Sequence, residues 1–202
     1  MCNSSKLVIA FRGTEFTLVD GIGIDDIITD LDVKPVRFEY CQNENSQNIK
    51  VHRGFQLQYI AVRQAIRDYL KAKCYSYGPQ EILVTGHSLG GALATLCGLD
   101  LTLNPVKNQP PIKVIPIGSP RVGNDQFAIL FDQNVDHCFR LKVAWDPVPC
   151  IPPPILGFKH VGIEVKLREA KNDGILGLTP LGSHHYLQYL KAVQNSKIYV
   201  NQ

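Results

Sequence analysis

The chain has 202 residues, of which 45% are hydrophobic and 19% are charged, and this balance excludes a disordered chain and an extended charged helix. The length allows one sizeable core, so we expect a single domain over residues 1–202. The 21 Lys and Arg residues against 18 Asp and Glu give a formal net charge of +3 without any basic run, which indicates no nucleic-acid partner.

In chain order, the apolar periodicity predicts a strand at 7–11, a helix at 54–77, a strand at 81–85, a helix at 89–101, a strand at 113–117, a helix at 125–131, strands at 138–143 and 161–167, and a helix at 183–193. We expect the strand at 7–11 to be buried on both faces. Pro116 cannot donate to a strand ladder, so its strand should be short or locally broken. Alternating strands and helices predict a mostly parallel sheet of the α/β class.

The first predicted helix has apolar residues at helical spacing, and we expect them to form its buried face: Phe55, Tyr59, Val62, Ile66, Tyr69 and Leu70. The cysteines are far apart and form no C-x-x-C pair, so neither a zinc site nor a redox site is expected. We predict that most of them are free thiols, namely Cys2, Cys41, Cys74, Cys97, Cys138 and Cys150.

The amino-acid sequence shows no membrane or export signal. No stretch reaches the roughly 18 apolar residues that span a bilayer. The opening MCNSSKLVIAFRG lacks the basic leader and long apolar core of a signal peptide. We therefore expect a soluble, cytoplasmic protein without a transmembrane segment.

The turn after the strand at 81–85 has the pattern G-x-S-x-G, in Gly86-His87-Ser88-Leu89-Gly90. Between a strand and an Ala-rich helix, this pattern is typical of a sharp turn that presents a nucleophilic serine. The N–H of the residue after the serine lies at the helix N-terminus, where partial positive charge favours an oxyanion. Ser88 is therefore the candidate nucleophile.

A serine hydroxyl needs a base, and the base needs a third group that orients it. Asp146 directly follows the strand at 138–143, where an acid would project from the carboxyl edge of the sheet. His184 and His185 lie at the start of the last predicted helix, with Ser183 as its expected N-cap. Either histidine fits the order Ser, Asp, His that is typical of α/β-hydrolases.

These segments, together with several others, resemble the class 3 lipases, the family that includes the fungal triacylglycerol lipases. The matching segments occur in the family's order: IAFRGT (9–14), DIITDLD (26–32), VHRGF (51–55), VTGHSLGGALA (84–94), GSPRVGN (118–124), DPVPCIPP (146–153) and HVGIEV (160–165). The resemblance implies an α/β-hydrolase fold with a mostly parallel central sheet flanked by helices. The chain starts almost at the first matched strand, so this version of the fold should be short at its N-terminus.

The resemblance also implies site residues. It makes Ser88 the nucleophile and Asp146 the orienting acid. In many relatives the catalytic histidine stands five residues before a tyrosine of the closing helix, so Tyr189 selects His184, with His185 as the alternate. The implied oxyanion hole consists of the backbone N–H of Leu89 and of the N–H and hydroxyl of Thr14.

The implied activity is hydrolysis of acyl-glycerol or related lipid esters through an acyl-serine intermediate, without a metal or an organic cofactor. Residues 15–25, which correspond to a mobile lid in fungal relatives, suggest transient contact with a lipid interface. Two alternatives stay open: a non-hydrolytic binding or signalling scaffold, and an esterase or acyltransferase on soluble acyl esters. The other histidines are expected to make structural hydrogen bonds, namely His52, His87 and His160.

Overall fold

The computed structural model describes residues 6–13, 33–41, 44–76, 78–168 and 184–195. The strands in these ranges are β1 (Lys6–Phe11), β2 (Pro35–Arg37), β3 (Lys50–His52), β4 (Glu81–His87), β5 (Ile112–Ile117), β6 (Gly123–Asn124), β7 (Phe139–Val143), β8 (Phe158–Lys159) and β9 (Ile163–Leu167). The α-helices are α1 (Arg53–Ser76), α2 (Leu89–Leu103), α3 (Asp125–Asn134) and α4 (Tyr186–Asn195), and short 3-10 helices lie at Glu44–Asn48, Val148–Cys150 and Pro154–Leu156. No helix in the described ranges has both the length and the apolar character needed to cross a bilayer.

A five-stranded parallel sheet forms the centre of the fold, in the order β1, β4, β5, β7, β9. Its strands run in one direction, so their carboxyl ends lie along one edge. A smaller antiparallel sheet pairs β2, β3, β6 and β8 in that order. The predicted mostly parallel α/β sheet flanked by helices is thus confirmed.

The prediction that residues 7–11 are buried on both faces is wrong. Exposed and half-buried residues alternate along β1, and Val8 is 55% exposed. Among the described strands, β1 lies at one edge of the sheet and pairs with β4 alone. Leu7, Ile9 and Phe11 pack against the core, whereas the described residues leave the opposite face of β1 uncovered.

Pro116 interrupts the ladder between β5 and β7, as its lack of an N–H predicts. The N–H groups of Val114 and Gly118 donate to carbonyl oxygens of the β7 side, those of His137 at 2.8 Å and Leu141 at 3.0 Å. Residue 116 falls between these two donors, so its N–H would point the same way. On its other side, β5 pairs with β4 without a break from Ile112 to Ile117.

Helix α2 is the central helix of the core. It is buried from Gly90 to Leu101 and contains few polar residues, as expected for a helix that is covered all round. Asp100 is its one buried charge in the described structure, and it accepts hydrogen bonds from Tyr59 Oη at 2.7 Å and from Arg63 Nε at 2.6 Å. Asn104 Nδ2 donates to the same carboxylate at 3.0 Å. This polar cluster ties α1 to α2.

The buried face of α1 is rotated relative to the prediction. Phe55, Tyr59 and Leu70 are buried as expected, but Val62 is 40% exposed and Tyr69 is 52% exposed. The buried residues also include Gln56 and Cys74. On a helix of 3.6 residues per turn these two positions lie on the side of the stripe away from Val62 and Tyr69.

The prediction for the cysteines is confirmed in the described part of the chain, where all are free thiols. Cys41, Cys74, Cys97 and Cys138 are buried, and Cys150 is exposed. Burial raises the pKa of the Cys97 and Cys138 thiols to about 12, so these side chains act as small apolar groups. Cys2 lies outside the described residues.

Candidate active site

Ser88 occupies a strained turn between β4 and α2. Its backbone has φ 58° and ψ −126°, a conformation that residues other than glycine rarely adopt. The Ser88 N–H donates to the Ile117 carbonyl oxygen at 2.9 Å, which anchors the turn to the end of β5. A side chain at Gly86 would clash with the Gly90 carbonyl, and one at Gly90 with the Phe11 carbonyl. Both motif glycines are therefore required by close packing of the turn against β1.

Asp146 and His184 form a buried pair. His184 Nδ1 lies 2.9 Å from Asp146 Oδ2 and 3.1 Å from Oδ1, and each residue is 1% exposed. Asp146 lies three residues after the end of β7 and follows Trp145, whose φ is 64°. The Val148 N–H donates to Asp146 Oδ1 at 2.9 Å and holds the carboxylate in place. Residues separated by 38 positions are thus joined at the carboxyl edge of the sheet.

Of the two candidate histidines, the structure pairs His184 with Asp146. His185 is half-buried, and its Nδ1 accepts a hydrogen bond from the Leu187 N–H at 3.3 Å. The predicted helix start at residue 183 is wrong. Helix α4 begins at Tyr186, and both histidines precede it. Ser183, the expected N-cap, lies outside the described residues.

Two residues that the sequence reasoning did not place at the site contact this pair. Tyr189 Oη donates a hydrogen bond to Asp146 Oδ2. The His87 imidazole stacks on that of His184, with ring centroids 4.6 Å apart, and its Nε2–H donates to the His184 carbonyl oxygen at 2.8 Å. Because His87 and Ser88 are adjacent, this stack brings the serine turn against the Asp146–His184 pair. The spacing of Tyr189 from His184 is the sequence feature that could have indicated the place of Tyr189 at the site.

The predicted oxyanion donors are described only in part. Leu89 is the first residue of α2, so its N–H has no carbonyl of the preceding helical turn to bond. Gly13 follows β1 and packs closely against the serine turn, since a Cβ there would lie 2.5 Å from the His87 carbonyl oxygen and 3.4 Å from Ser88 Cβ. This approach brings the end of β1 to Ser88. Thr14 and the predicted lid, residues 15–25, lie outside the described residues.

The remaining predicted structural histidines make contacts of that kind. His52 stacks on Phe55 with ring centroids 3.9 Å apart, and its Nδ1 accepts from the Phe55 N–H at 3.4 Å. His160 Nε2–H donates to the Pro149 carbonyl oxygen at 2.7 Å. The described ranges contain no group of three or more His, Cys, Asp or Glu side chains that could hold a metal ion.

We predict that stability falls as the pH is lowered through the imidazole range. Burial lowers the pKa of His87 to about 4 and that of His160 to about 3. An unfolded histidine has a pKa of about 6.5, so below that pH the unfolded chain binds more protons than the folded one. The stability that these two neutral histidines contribute is therefore fully present well above pH 6.5 and is lost progressively as the pH falls below it. We expect the free energy of unfolding to fall by about 3 to 4 kcal/mol between pH 7 and pH 5, roughly half from each histidine, as measured by urea unfolding.

The matched variant for this prediction is His160→Gln, which keeps an amide donor for the Pro149 carbonyl but does not titrate. The variant should lose about half as much stability over the same pH range. Three carboxyls also have a lowered pKa in the folded chain, namely Asp68, Glu81 and Glu164. They change the free energy of unfolding mainly at a lower pH, where carboxyls take up protons. An identical pH dependence in the variant and the wild type would contradict the assignment to His160.

A strained serine turn that joins a strand to a helix, set in a parallel sheet, is the defining feature of the α/β-hydrolase class, and the fold has this arrangement. Within that class, the family model of the class 3 lipases matches residues 8–155. The chain belongs to this family.

Known relatives agree with this assignment. The chain is 33% identical to a lipase of Rhizopus niveus over 171 residues, which cover 83% of this chain and 40% of the relative. It is 37% identical to secreted mono- and diacylglycerol lipase 1 of Fusarium solani over 114 residues, or 56% of this chain and 33% of the relative. A solved triacylglycerol lipase, whose catalytic centre is a serine protease triad, is similar with a TM-score of 0.68 and 31% identity, covering 81% of this chain and 58% of that chain. The chain spans less than two thirds of the length of each.

Proposed function

We propose that this protein is a serine hydrolase that cleaves carboxylic esters of lipid character. In this proposal Ser88 is the nucleophile, His184 the general base and Asp146 the orienting acid. The observation that carries it is the buried Asp146–His184 pair, with 2.9 Å between Nδ1 and Oδ2, beside the strained serine turn. A buried ionisable pair costs desolvation energy and adds little stability, so such pairs are concentrated at functional sites.

The geometry supports a two-step mechanism. Asp146 binds Nδ1 of His184, which favours the tautomer whose Nε2 can accept the Ser88 proton. As the serine oxygen attacks the ester carbonyl, the developing oxyanion would bind the Leu89 N–H and the Thr14 donors. The alcohol leaves with the proton from His184, and water, activated by the same base, then releases the acid from the acyl-serine. These steps require neither a metal nor an organic cofactor.

A lipid ester is the proposed substrate class, with acyl-glycerols as its first members. The relatives named above include a triacylglycerol lipase and a mono- and diacylglycerol lipase. Trp145, next to Asp146, is 84% exposed, and Ile155, nine residues farther on, is 92% exposed. Trp is enriched where proteins meet membrane interfaces, so the proposal includes transient contact with a lipid interface. We also propose that residues 1–202 form one domain, since β1 and β9 belong to the same sheet.

The proposal is tested by chemical labelling together with hydrolysis of p-nitrophenyl esters of short and long acyl chains. A fluorophosphonate should label the wild-type chain at Ser88, and the same protein should hydrolyse the esters. Ser46→Ala is the control, because Ser46 is also a buried serine but bonds Arg37 away from the site. The control should keep both properties, and Ser88→Ala should lose both.

The other outcomes identify the alternatives. A folded wild-type chain with neither labelling nor hydrolysis would contradict the enzyme and indicate a binding or signalling scaffold. Turnover of short, dissolved esters without a rise in rate when the ester forms an interface would indicate an esterase or acyltransferase on soluble substrates.

A further inference from the structure

We propose that Tyr189 is a positioning residue, whose hydroxyl fixes the Asp146 carboxylate and limits the negative charge that Asp146 presents to His184. This inference rests on the proposed function, since it concerns the same base. It starts from a hydrogen bond that neither the G-x-S-x-G motif nor the order Ser, Asp, His requires, the one from Tyr189 Oη to Asp146 Oδ2.

Asp146 receives donors from three places in the chain. The Val148 N–H, in the 3-10 helix Val148–Cys150, reaches Oδ1 at 2.9 Å, and His184 Nδ1, just before α4, contacts both oxygens. Tyr189, in α4, reaches Oδ2, the oxygen closer to His184. Tyr189 and His184 therefore share one carboxylate oxygen. Because a donated hydrogen bond draws charge from its acceptor, each of them weakens the hold of that oxygen on the other.

Packing leaves the Tyr189 hydroxyl little freedom to move. The residue is 3% exposed, and its ring packs with Val143, Leu167 and Ala192 in a small apolar cluster. The edge of the His87 ring also lies against it, with ring centroids 5.4 Å apart. The packed ring of Tyr189, in α4, therefore holds the hydroxyl in place beside Asp146.

The hydrogen bond between the Tyr189 hydroxyl and the Asp146 carboxylate requires a residue without a side chain at Gly118, which directly follows β5. A Cβ at this position would lie 2.9 Å from Tyr189 Oη and 3.1 Å from Asp146 Oδ2. Its φ of 55° also favours glycine, so the backbone after β5 leaves room for this contact.

The hydroxyl stays protonated across the working pH range. Burial, and next the charge of Asp146, raises the pKa of Tyr189 well above its usual value of about 10. Other titratable groups that act on this cluster include His87, His185 and Arg140. The side-chain change Tyr189→Phe removes the donor but alters none of these charges.

The experiment compares the wild-type chain with Tyr189→Phe and with Tyr59→Phe. Tyr59 is a matched control, because it is equally buried and donates to a buried carboxylate, Asp100 Oδ2, at 2.7 Å away from the site. The first measurement is the NMR titration of the His184 ring proton, which does not depend on hydrolysis. The second is kcat and KM for p-nitrophenyl butyrate over a pH range of about 5 to 9.

Without the tyrosine donor, Asp146 holds protonated His184 more tightly. We expect Tyr189→Phe to raise the midpoint of the His184 titration by about 0.5 to 1 pH unit, and to raise the acid limb of kcat/KM with it. The freed carboxylate should also lower kcat about tenfold while KM changes less than about twofold. Tyr59→Phe should lower the urea midpoint but leave the His184 titration and kcat unchanged.

An unchanged His184 titration in Tyr189→Phe would overturn the inference, even in a protein that hydrolyses esters. An equal shift in Tyr59→Phe would also overturn it, because the effect would then be general destabilisation. A raised midpoint in Tyr189→Phe alone supports the inference. If Tyr189→Phe shows this shift but the wild-type chain hydrolyses no ester, the proposed function fails and the coupling through Asp146 stands.

Discussion

Replacing His184 with alanine is expected to lower kcat for ester hydrolysis by about 10⁴-fold or more. The physical reason is that the Ser88 hydroxyl is a poor nucleophile unless a base accepts its proton, and His184 is the histidine bound to Asp146. Any residual rate would come from substrate binding and the oxyanion donors. The measurement is kcat with p-nitrophenyl butyrate, together with fluorophosphonate labelling of Ser88.

His185→Ala is the matched control, because it removes the same side chain one residue farther along. His185 Nδ1 accepts from a backbone N–H of its own segment, so its loss should change kcat by less than about threefold. Urea unfolding of both variants shows whether each is folded under assay conditions. If His185→Ala abolished hydrolysis and His184→Ala did not, the assignment of the base would be wrong.

Removal of the Asp100 carboxylate is expected to cause the largest loss of stability. Asp100→Ala would leave Tyr59, Arg63 and Asn104 without their shared acceptor in the core between α1 and α2. Removing one partner of a fully buried charge pair typically costs about 3 to 5 kcal/mol. The Arg63 side chain is 22% exposed and can be partly solvated, so we expect a loss of about 2 to 4 kcal/mol. The measurement is the free energy of unfolding from urea denaturation at neutral pH.

Asp68→Ala tests whether the location of the carboxylate decides the effect. Asp68 also accepts hydrogen bonds on α1, from Gln64 at 2.9 Å and Lys71 at 3.1 Å, but it is exposed. Solvent screens such a pair, so this variant should unfold at nearly the wild-type urea concentration. A loss in Asp100→Ala no larger than in Asp68→Ala would show that the Asp100 cluster adds little to stability.

The local parts of the site could be predicted from the sequence because they depend on neighbouring residues. A strand, a tight turn and a helix follow directly from the residues around Ser88, and the packing of Gly86 and Gly90 explains why the motif needs both glycines. Pro116 disrupted the ladder to β7 as expected, because a missing N–H is a property of the residue itself.

Errors arose where burial depended on distant elements. The apolar composition of β1 predicts burial on both faces, yet the described elements cover only one of its faces. The apolar period of α1 located its buried face only approximately, because the helices and strands that pack on it select the side that is covered. Helix α4 begins three residues later than predicted, because element boundaries are the part of a fold that sequence patterns locate least precisely.

By itself, the sequence determined the class of fold, the serine turn and the chain order of the candidate triad, since each depends on local spacing and composition. The tertiary structure decided that His184 is the histidine that binds Asp146, and that Tyr189 and His87 brace this pair. The physical reason is that a hydrogen bond between residues 38 positions apart depends on the direction in which each side chain leaves the backbone of its connecting segment. A shift of one residue changes that direction, and only the packing of these segments against the sheet fixes it.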